Sequence, residues 1–295
     1  MIAFPVTPFK SDLSLDVGGL RRNLQQLLEH EMAAVVAAGG TGEMYSLTAA
    51  EHLEVVKATV EEVRGRVPVI AGVGFNRQMG VELAQQSARA GADAILALPP
   101  YYPNADEEGL AEYYAAIGGA TPLGLFVYSR DWVNPGPAWV ERLAGTIPTL
   151  IGWKDGQGDT RRFQQIVNRV GDRLHWIGGA GDDCVPAYYS IGIRTYTSSI
   201  ATVAPRLSLQ LHEVASAGDS TTLMRLMNDY VIPLYALRAR RKGYEVTVMK
   251  EMLNLLGLAA GPVRPPLPRL RPKEFGELRA MLQRWQPFLS ATPTP

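Results

Sequence analysis

The stretch Ile2-Ala-Phe-Pro-Val-Thr-Pro-Phe9 decides between two folds that the rest of the chain leaves open. Its first part, Ile2–Val6, is an apolar run of strand length, and Thr7-Pro-Phe9 after it contains no glycine. Outward from it lie further runs of the same kind: Ala33–Ala38, Pro68–Val73, Ala94–Leu98, Leu123–Tyr128, Leu150–Lys154, Leu174–Gly178 and Arg194–Ser198. Between them apolar residues recur with helical period, as in Leu20, Leu24, Leu27 and Leu28, then Leu53, Val56, Val60 and Val63, then Val81, Ala84 and Ala88. Strand and helix alternating at this spacing make right-handed βαβ units, which build either an open doubly wound sheet or a closed barrel. An open sheet that binds a dinucleotide needs G-x-G-x-x-G directly after its first strand, and Phe4–Phe9 supplies no glycine there. Eight strands favour closure, so the pattern predicts an α/β fold, a (β/α)8 TIM barrel over residues 1–205.

After the eighth run the pattern changes. Arg206–Ala217, Thr221–Arg241, Tyr244–Leu256 and Lys273–Trp285 are all helical in period with no strand between them. Residues 206–295 are therefore expected to form a helical C-terminal extension packed on the barrel as one structural unit. Gly261-Pro-Val-Arg-Pro-Pro-Leu-Pro268 is too rich in proline for helix or central strand, and Ser290–Pro295 is expected to fray.

Composition narrows the class of function. With 295 residues, 46% hydrophobic and 20% charged, the chain reads as an ordinary globular protein, long enough for one large domain or two ordinary ones. Its 29 basic and 29 acidic residues cancel, and no basic cluster is interleaved with aromatics, so nothing gathers nucleic acid or an anionic membrane. Small-molecule chemistry is the default. Cys184 is the single cysteine and the four histidines are scattered, which excludes an internal disulfide and offers no zinc-ligand spacing. The N-terminal MIAFPVTPFK lacks the basic and apolar regions of a signal peptide, and no apolar run approaches the roughly 18 residues of a membrane span. A cytoplasmic protein is expected.

In a (β/α)8 enzyme the chemistry sits at the C-terminal ends of the strands, where loops vary without disturbing the barrel. Lys154 follows Leu150-Ile-Gly-Trp153, whereas Lys10, Lys57, Lys242, Lys250 and Lys273 lie in polar or helical contexts. A desolvated amine at a strand end loses its proton and attacks a carbonyl, although the same residue reads equally as a snorkelling or ion-paired lysine. Tyr128 ends Leu123-Gly-Leu-Phe-Val-Tyr128, and a phenol at that height can carry protons, whereas most buried tyrosines pack and donate one hydrogen bond. Gly39-Gly-Thr-Gly-Glu43 offers unshielded backbone N–H groups and the Thr41 hydroxyl ahead of Thr48-Ala-Ala-Glu51, a capping box. Such a nest suits a carboxylate, although an isolated glycine-rich loop reads more readily as a plain tight turn that needs glycine. Gly152–Gly158 lacks the G-K-[ST] of a phosphate loop, and Asp182-Asp183 reads as a helix start in preference to a metal site.

In order along the chain, Phe4-Pro-Val-Thr-Pro-Phe9, Gly39-Gly-Thr-Gly-Glu43, Pro68-Val-Ile-Ala-Gly72, Tyr128 and Gly152-x-Lys-Asp155 resemble the dihydrodipicolinate synthase and N-acetylneuraminate lyase superfamily, over about residues 2–285. The resemblance implies that Lys154 is the Schiff-base lysine, Tyr128 the catalytic tyrosine, and Gly40 and Thr41 the carboxylate-binding loop. Many members carry two adjacent hydroxyl residues in that loop; here Gly40 takes the first place. The Gly-Gly-Thr-Gly-Glu form is similar to the branch of 5-dehydro-4-deoxyglucarate dehydratases. So are Tyr128-x-Arg-Asp131, Lys154-Asp-Gly-Gln-Gly-Asp159, Gly192-x-Arg-Thr-Tyr-x-Ser198, Arg241-Lys-Gly-Tyr244 and Gly261-Pro-Val-Arg-Pro-Pro266. Ser129 and Trp132 depart from that branch, which is expected to carry asparagine, and Ile200–Val203 is atypical.

The activity this implies is the decarboxylating dehydration of 5-dehydro-4-deoxy-D-glucarate to 2,5-dioxopentanoate, CO2 and water in hexarate catabolism, through a Lys154 Schiff base and with no cofactor or metal. Arg130, Ser198 and Ser199 stand at strand ends facing the same mouth and are the expected distal substrate contacts, while Arg130 reads equally as the ion-pair partner of Asp131. Tyr101-Tyr102 follows the fourth strand where related enzymes reach into a neighbouring subunit, so Tyr102 is the expected inter-subunit residue of a homotetramer built as a dimer of dimers. Two alternatives compete: a class I aldolase or synthase acting on another 2-oxo acid through the same iminium, and a non-catalytic 2-oxo acid binding protein. Retention of both Lys154 and Tyr128 argues against the second.

Overall fold

Each of the eight apolar runs becomes a strand in the computed structural model, which describes residues 1–289. They are β1 (Ile2–Ala3), β2 (Ala34–Ala37), β3 (Val69–Phe75), β4 (Ala94–Pro100), β5 (Gly124–Ser129), β6 (Leu150–Asp155), β7 (His175–Gly178) and β8 (Thr197–Ser198). All pair in parallel in the order β7-β6-β5-β4-β3-β2-β1-β8. The two ends of that order meet at a bridge between Gly178 and Tyr196, where Gly178 N–H donates to Thr195 at 2.9 Å. The sheet thereby closes into a (β/α)8 barrel and leaves no edge to be protected. β1 is shorter than the run Ile2–Val6 because Pro5 has no N–H for the ladder.

The helices between strands are α1 (Val17–Leu27), α2 (Ala49–Val63), α3 (Arg77–Arg89), α4 (Glu107–Gly118), α5 (Pro137–Thr146), α6 (Thr160–Val170) and α7 (Val185–Ser190), with α8 (Pro205–Ser216) after β8. Their starts are written in the sequence. Asp16, Asn76, Asp106 and Asp159 each accept a backbone N–H three residues on, and Thr48 with Glu51 forms the full capping box. Their apolar stripes face the barrel, as with Leu20, Leu24 and Leu27 on α1.

Beyond α8 come α9 (Ser220–Leu226), α10 (Ile232–Arg238), α11 (Tyr244–Leu255) and α12 (Pro272–Leu289). The continuous helix expected over Thr221–Arg241 is interrupted by a π turn, Met227–Val231, in which Ile232 N–H donates to Met227 O. Pro233 is the physical reason: it has no N–H, and its ring cannot sit against the carbonyl four residues earlier, so the coil widens by one residue ahead of it. The proline-rich segment 258–271 is irregular, as its composition requires, and the expected frayed end Ser290–Pro295 lies outside the described residues.

That irregular segment is pinned by charge. Lys250 on α11 is 1% exposed and Glu43, after β2, is fully buried; Lys250 Nζ lies 2.6 Å from Glu43 Oε1 and donates to Pro262 O at 3.0 Å. Arg264 donates through its backbone N–H to Glu43 Oε2 at 3.0 Å, and through its guanidinium to Ser46 O at 2.7 Å and Glu51 Oε2 at 2.8 Å. Arg264 accordingly holds the Glu51 carboxyl down at about 2. Lys250 Nζ and the Arg264 guanidinium each lie over the Phe9 ring, 4.0 and 4.1 Å from its centroid. At Gly261, φ is +64° and a Cβ would stand 1.7 Å from Phe9 O, so only glycine lets the segment pass.

Removing one partner of such a pair strands the other charge in the interior. Lys250→Met is therefore expected to lower unfolding free energy by about 3–5 kcal/mol in a denaturant titration. The Glu43→Leu/Lys250→Met pair should recover a large part of that loss. A single-variant cost below about 1 kcal/mol would show that the pair holds nothing in place.

Candidate active site

Lys154 and Tyr128 are partners in the β5–β6 register, so their side chains leave the sheet on the same side. Lys154 Nζ stands 3.2 Å from the centroid of the Tyr128 ring and 5.2 Å from that of Phe4. Asp155, the next residue along the strand, points the opposite way and takes the Tyr188 hydroxyl at 2.7 Å and the Gly158 N–H at 3.1 Å. Among the described residues no carboxylate lies within ion-pair distance of Lys154. Burial first, and the Arg130 charge second, therefore push the amine well below the usual lysine range, against a smaller opposing pull from Asp155. Burial raises the Tyr128 phenol, which stays protonated at neutral pH. The sequence leaves more than one reading open for this lysine; in the fold it is buried, and no carboxylate pairs with it among the described residues.

One carbonyl organises the pair. Gly179 O accepts Lys154 Nζ at 3.0 Å and the Tyr128 hydroxyl at 3.3 Å. A Cβ on Gly179 would sit 2.5 Å from Lys154 Cγ, so only glycine allows the chain to run this close. Both side chains open into a cavity of about 680 Å³ at the C-terminal ends of the strands. Four non-glycine residues in left-handed backbone conformation, Ala38, Glu43, Phe75 and Asp131, follow or end strands around this mouth. Strained backbone of this kind concentrates at functional sites.

The other expected site residues fall in three places. Gly40, Thr41, Arg130 and Ser199 line the cavity. Gly40 faces Arg130, whose Nη1 would be 3.6 Å from a Cβ there, and the Thr7 hydroxyl holds this loop by donating to Gly42 O at 2.6 Å. Arg130 also pairs with Asp131 at 2.8 Å, the alternative that its sequence context leaves open. Ser198 does not line the cavity. It is fully buried, and its hydroxyl donates to Asp182 Oδ1, bonds Ser208 Oγ at 2.7 Å and accepts Ala201 N–H at 2.9 Å. Alternation along β8 and the turn after it send Ser199 inward and Ser198 into the wall. Tyr101 and Tyr102 stand on the exterior, 84% and 64% exposed, and Tyr102 lines a separate apolar hollow with Met79, Leu110 and Tyr113.

The dihydrodipicolinate synthetase family matches residues 1–285. The chain belongs to that family. Among curated members, a probable 5-dehydro-4-deoxyglucarate dehydratase from Ralstonia nicotianae is 42% identical over 286 residues, covering 96% of this chain and 92% of the relative. One of the same name from Bradyrhizobium diazoefficiens is 38% identical, covering 96% and 91%. Among solved structures, a dihydrodipicolinate synthase from Oceanobacillus iheyensis superposes with a TM-score of 0.91 at 30% identity, covering 97% of this chain and 96% of that one. A synthase from Acinetobacter baumannii complexed with pyruvate superposes with a TM-score of 0.87 at 29% identity, covering 97% and 98%.

Within this family member, the residues that escape a reading of the sequence come from outside the strand-end motifs. Asp182 has the context of a helix start, and it does open the 3-10 turn Asp182–Cys184 ahead of α7, but it is also fully buried in the cavity wall. Its oxygens take the Ser198 hydroxyl and, at 3.1 Å, the Tyr235 hydroxyl. Tyr235 and Arg238, on α10, line the same wall, and no strand-based signal could have placed a helix of the extension there. Among the described residues, no group of three or more His, Cys, Asp and Glu could hold a metal, and no helix is long and apolar enough to cross a membrane.

Burial raises the Asp182 carboxyl to about 6, against the pull of Ser198, Arg238 and Tyr235. A carboxyl raised on folding binds its proton more tightly in the native state, so its contribution to stability is present at low pH and is lost as pH rises through about 6. Relative to Asp182→Asn, the native chain should be about 2 kcal/mol better placed at pH 4 than at pH 7. Denaturant titrations of both proteins at the two pH values read this difference directly, and a flat difference would assign Asp182 an ordinary carboxyl.

Proposed function

We propose that this chain is a decarboxylating dehydratase that converts 5-dehydro-4-deoxy-D-glucarate to 2,5-dioxopentanoate, CO2 and water. The observation that carries this reading is the uncompensated amine of Lys154 lying against Tyr128 in the cavity at the barrel mouth, in a chain about 40% identical to several proteins named for that reaction. The pyruvate bound by the Acinetobacter baumannii synthase supports a 2-oxo acid as ligand class.

The amine of Lys154 adds to the ketone, and the carbinolamine loses water to give an iminium. A neutral phenol suits this step, because Tyr128 protonates the departing hydroxyl. The phenolate so formed, in a site that disfavours its charge, is a strong base placed to take a proton from the carbon next to the iminium. Returning that proton to the hydroxyl one carbon further on releases a second water and leaves a double bond conjugated with the iminium. The terminal carboxylate then departs as CO2, its bonding electrons flowing through the conjugated chain to nitrogen. Protonation and hydrolysis consume one water and free the product, so the balance is one CO2 and one water. The iminium is the electron sink for both eliminations.

The carboxylate beside the ketone rests on the Gly40 and Thr41 loop, where backbone N–H groups meet it without bulky side chains, and Arg130 and Ser199 face the remainder of the substrate. Ser198 supports that end through Asp182 without touching substrate. We assign Tyr102 and its apolar hollow to a contact between subunits in a homotetramer, and the enzyme to the cytoplasm.

Incubation with 5-dehydro-4-deoxyglucarate and borohydride should place a mass adduct on the peptide carrying Lys154, and a parallel sample without reductant should release CO2. An adduct without CO2 would move the assignment to an aldolase or synthase, and no adduct with this acid or with pyruvate would remove the Schiff base altogether. Imine formation should reach half its maximum at a pH far below the roughly 10.4 of an ordinary lysine. Tyr128→Phe should still give the adduct on Lys154, formed more slowly, while CO2 release slows by roughly 100- to 10,000-fold.

A further inference from the structure

Arg238 lies far from the strand ends in sequence, yet α10 carries it into the cavity that holds Lys154. Its Nη1 donates to Ser199 Oγ at 3.0 Å, and its guanidinium lies 4.4 Å from the centroid of the Tyr235 ring. Its Nε is buried without a hydrogen-bond partner among the described residues. No carboxylate there comes within ion-pair distance of it, since the nearby Asp182 is engaged by Ser198 and Tyr235. A half-buried guanidinium whose Nε–H is shut away from water without a partner is costly unless an acceptor completes it, and an anionic fork is the acceptor it matches best.

We propose that Arg238, with Ser199, is the subsite for the carboxylate at the far end of the substrate, and that it selects 2-oxo diacids over 2-oxo monoacids. This rests on the reading of the cavity as a Schiff-base site. The spacing agrees with it: the run Gly179-Ala-Gly181 passes from Lys154, against which Gly179 lies, to Tyr235, whose hydroxyl would be 2.6 Å from a Cβ on Gly181. Two Cα-to-Cα steps reach at most about 7 Å, and the bend at Ala180 shortens that span, so the two ends lie within the length of a six-carbon acid. Arg130 is less suited to this task, because its Nε is committed to Asp131 and its Nη1 faces the Gly40 loop at the other end of the substrate. Tyr235 is the platform: its ring supports the guanidinium while its hydroxyl is fixed by Asp182.

The test needs no turnover. Half-saturating concentrations for borohydride trapping on Lys154 are measured with 2-oxoadipate and with 2-oxohexanoate, which differ only in the second carboxylate, for the native protein, Arg238→Ala and Arg238→Lys. The native protein should prefer 2-oxoadipate by roughly 100-fold, Arg238→Ala by no more than about threefold, and Arg238→Lys should fall between, with 2-oxohexanoate trapped alike by all three. Equal trapping of the two acids by the native protein, or an undiminished preference in both variants, overturns the subsite and leaves the Schiff base standing. No trapping of any acid by the native protein overturns the Schiff base and the subsite with it.

Discussion

An amine shut inside a barrel without a carboxylate to face it is the constraint on which the site is built. Burial disfavours the ammonium form of Lys154, and the wall offers it a neutral carbonyl and the face of the Tyr128 ring in place of a carboxylate. The neighbours conform to this. Asp155 is turned to the other side of its strand, the charge that acts on the amine most is the like charge of Arg130, and the hydrogen bond the amine makes among the described residues is to a neutral carbonyl that also holds the Tyr128 hydroxyl. Lys250 shows what the same residue type looks like when its charge is to be kept. It too is buried, but Glu43 stands 2.6 Å away and burial lowers its amine only to about 8. One fold thus treats two buried lysines in opposite ways, and the difference is where a carboxylate has been placed.

The second lysine also explains how the extension takes part in catalytic geometry. Glu43 is the last residue of the glycine loop that carries Gly40 and Thr41, so its bond to Lys250 and to the backbone of Arg264 fixes the loop from behind. A glycine-rich loop has many conformations available, and ordering it costs entropy that no side chain of its own can repay. Here that order comes from α11 and the proline-rich segment, with Phe9 in contact with both cations at the junction.

The fold was legible because its signals are local. Apolar runs of strand length, helical stripes and side-chain caps each occupy a few consecutive residues, and the missing glycine after Ile2–Val6 removed the open-sheet alternative. Lys154 and Tyr128 were legible for a related reason: both terminate apolar runs, and parallel register brings such ends together. What escaped is whatever depends on which way a side chain turns after a strand ends. Ser198 and Ser199 are indistinguishable as letters, yet one supports the wall and the other opens to the cavity. Asp182 has the sequence context of a helix start and the environment of a buried acid. Arg238 is one of several basic residues around Lys242, and only the packing of α10 over the mouth separates it from its exposed neighbours.

The π turn at Met227–Val231 makes that packing a matter of arithmetic. A π turn is one residue more than the α-helix needs, and each residue advances a helix by about 100°. Tyr235 and Arg238, three apart on one face, inherit their direction from that surplus residue. Losing a single codon from this turn would carry both side chains round the helix axis together while leaving every residue of the barrel unchanged. In this architecture the far end of the site can therefore be rewritten by a change of length, in one evolutionary step, with Lys154 and its carbonyl untouched.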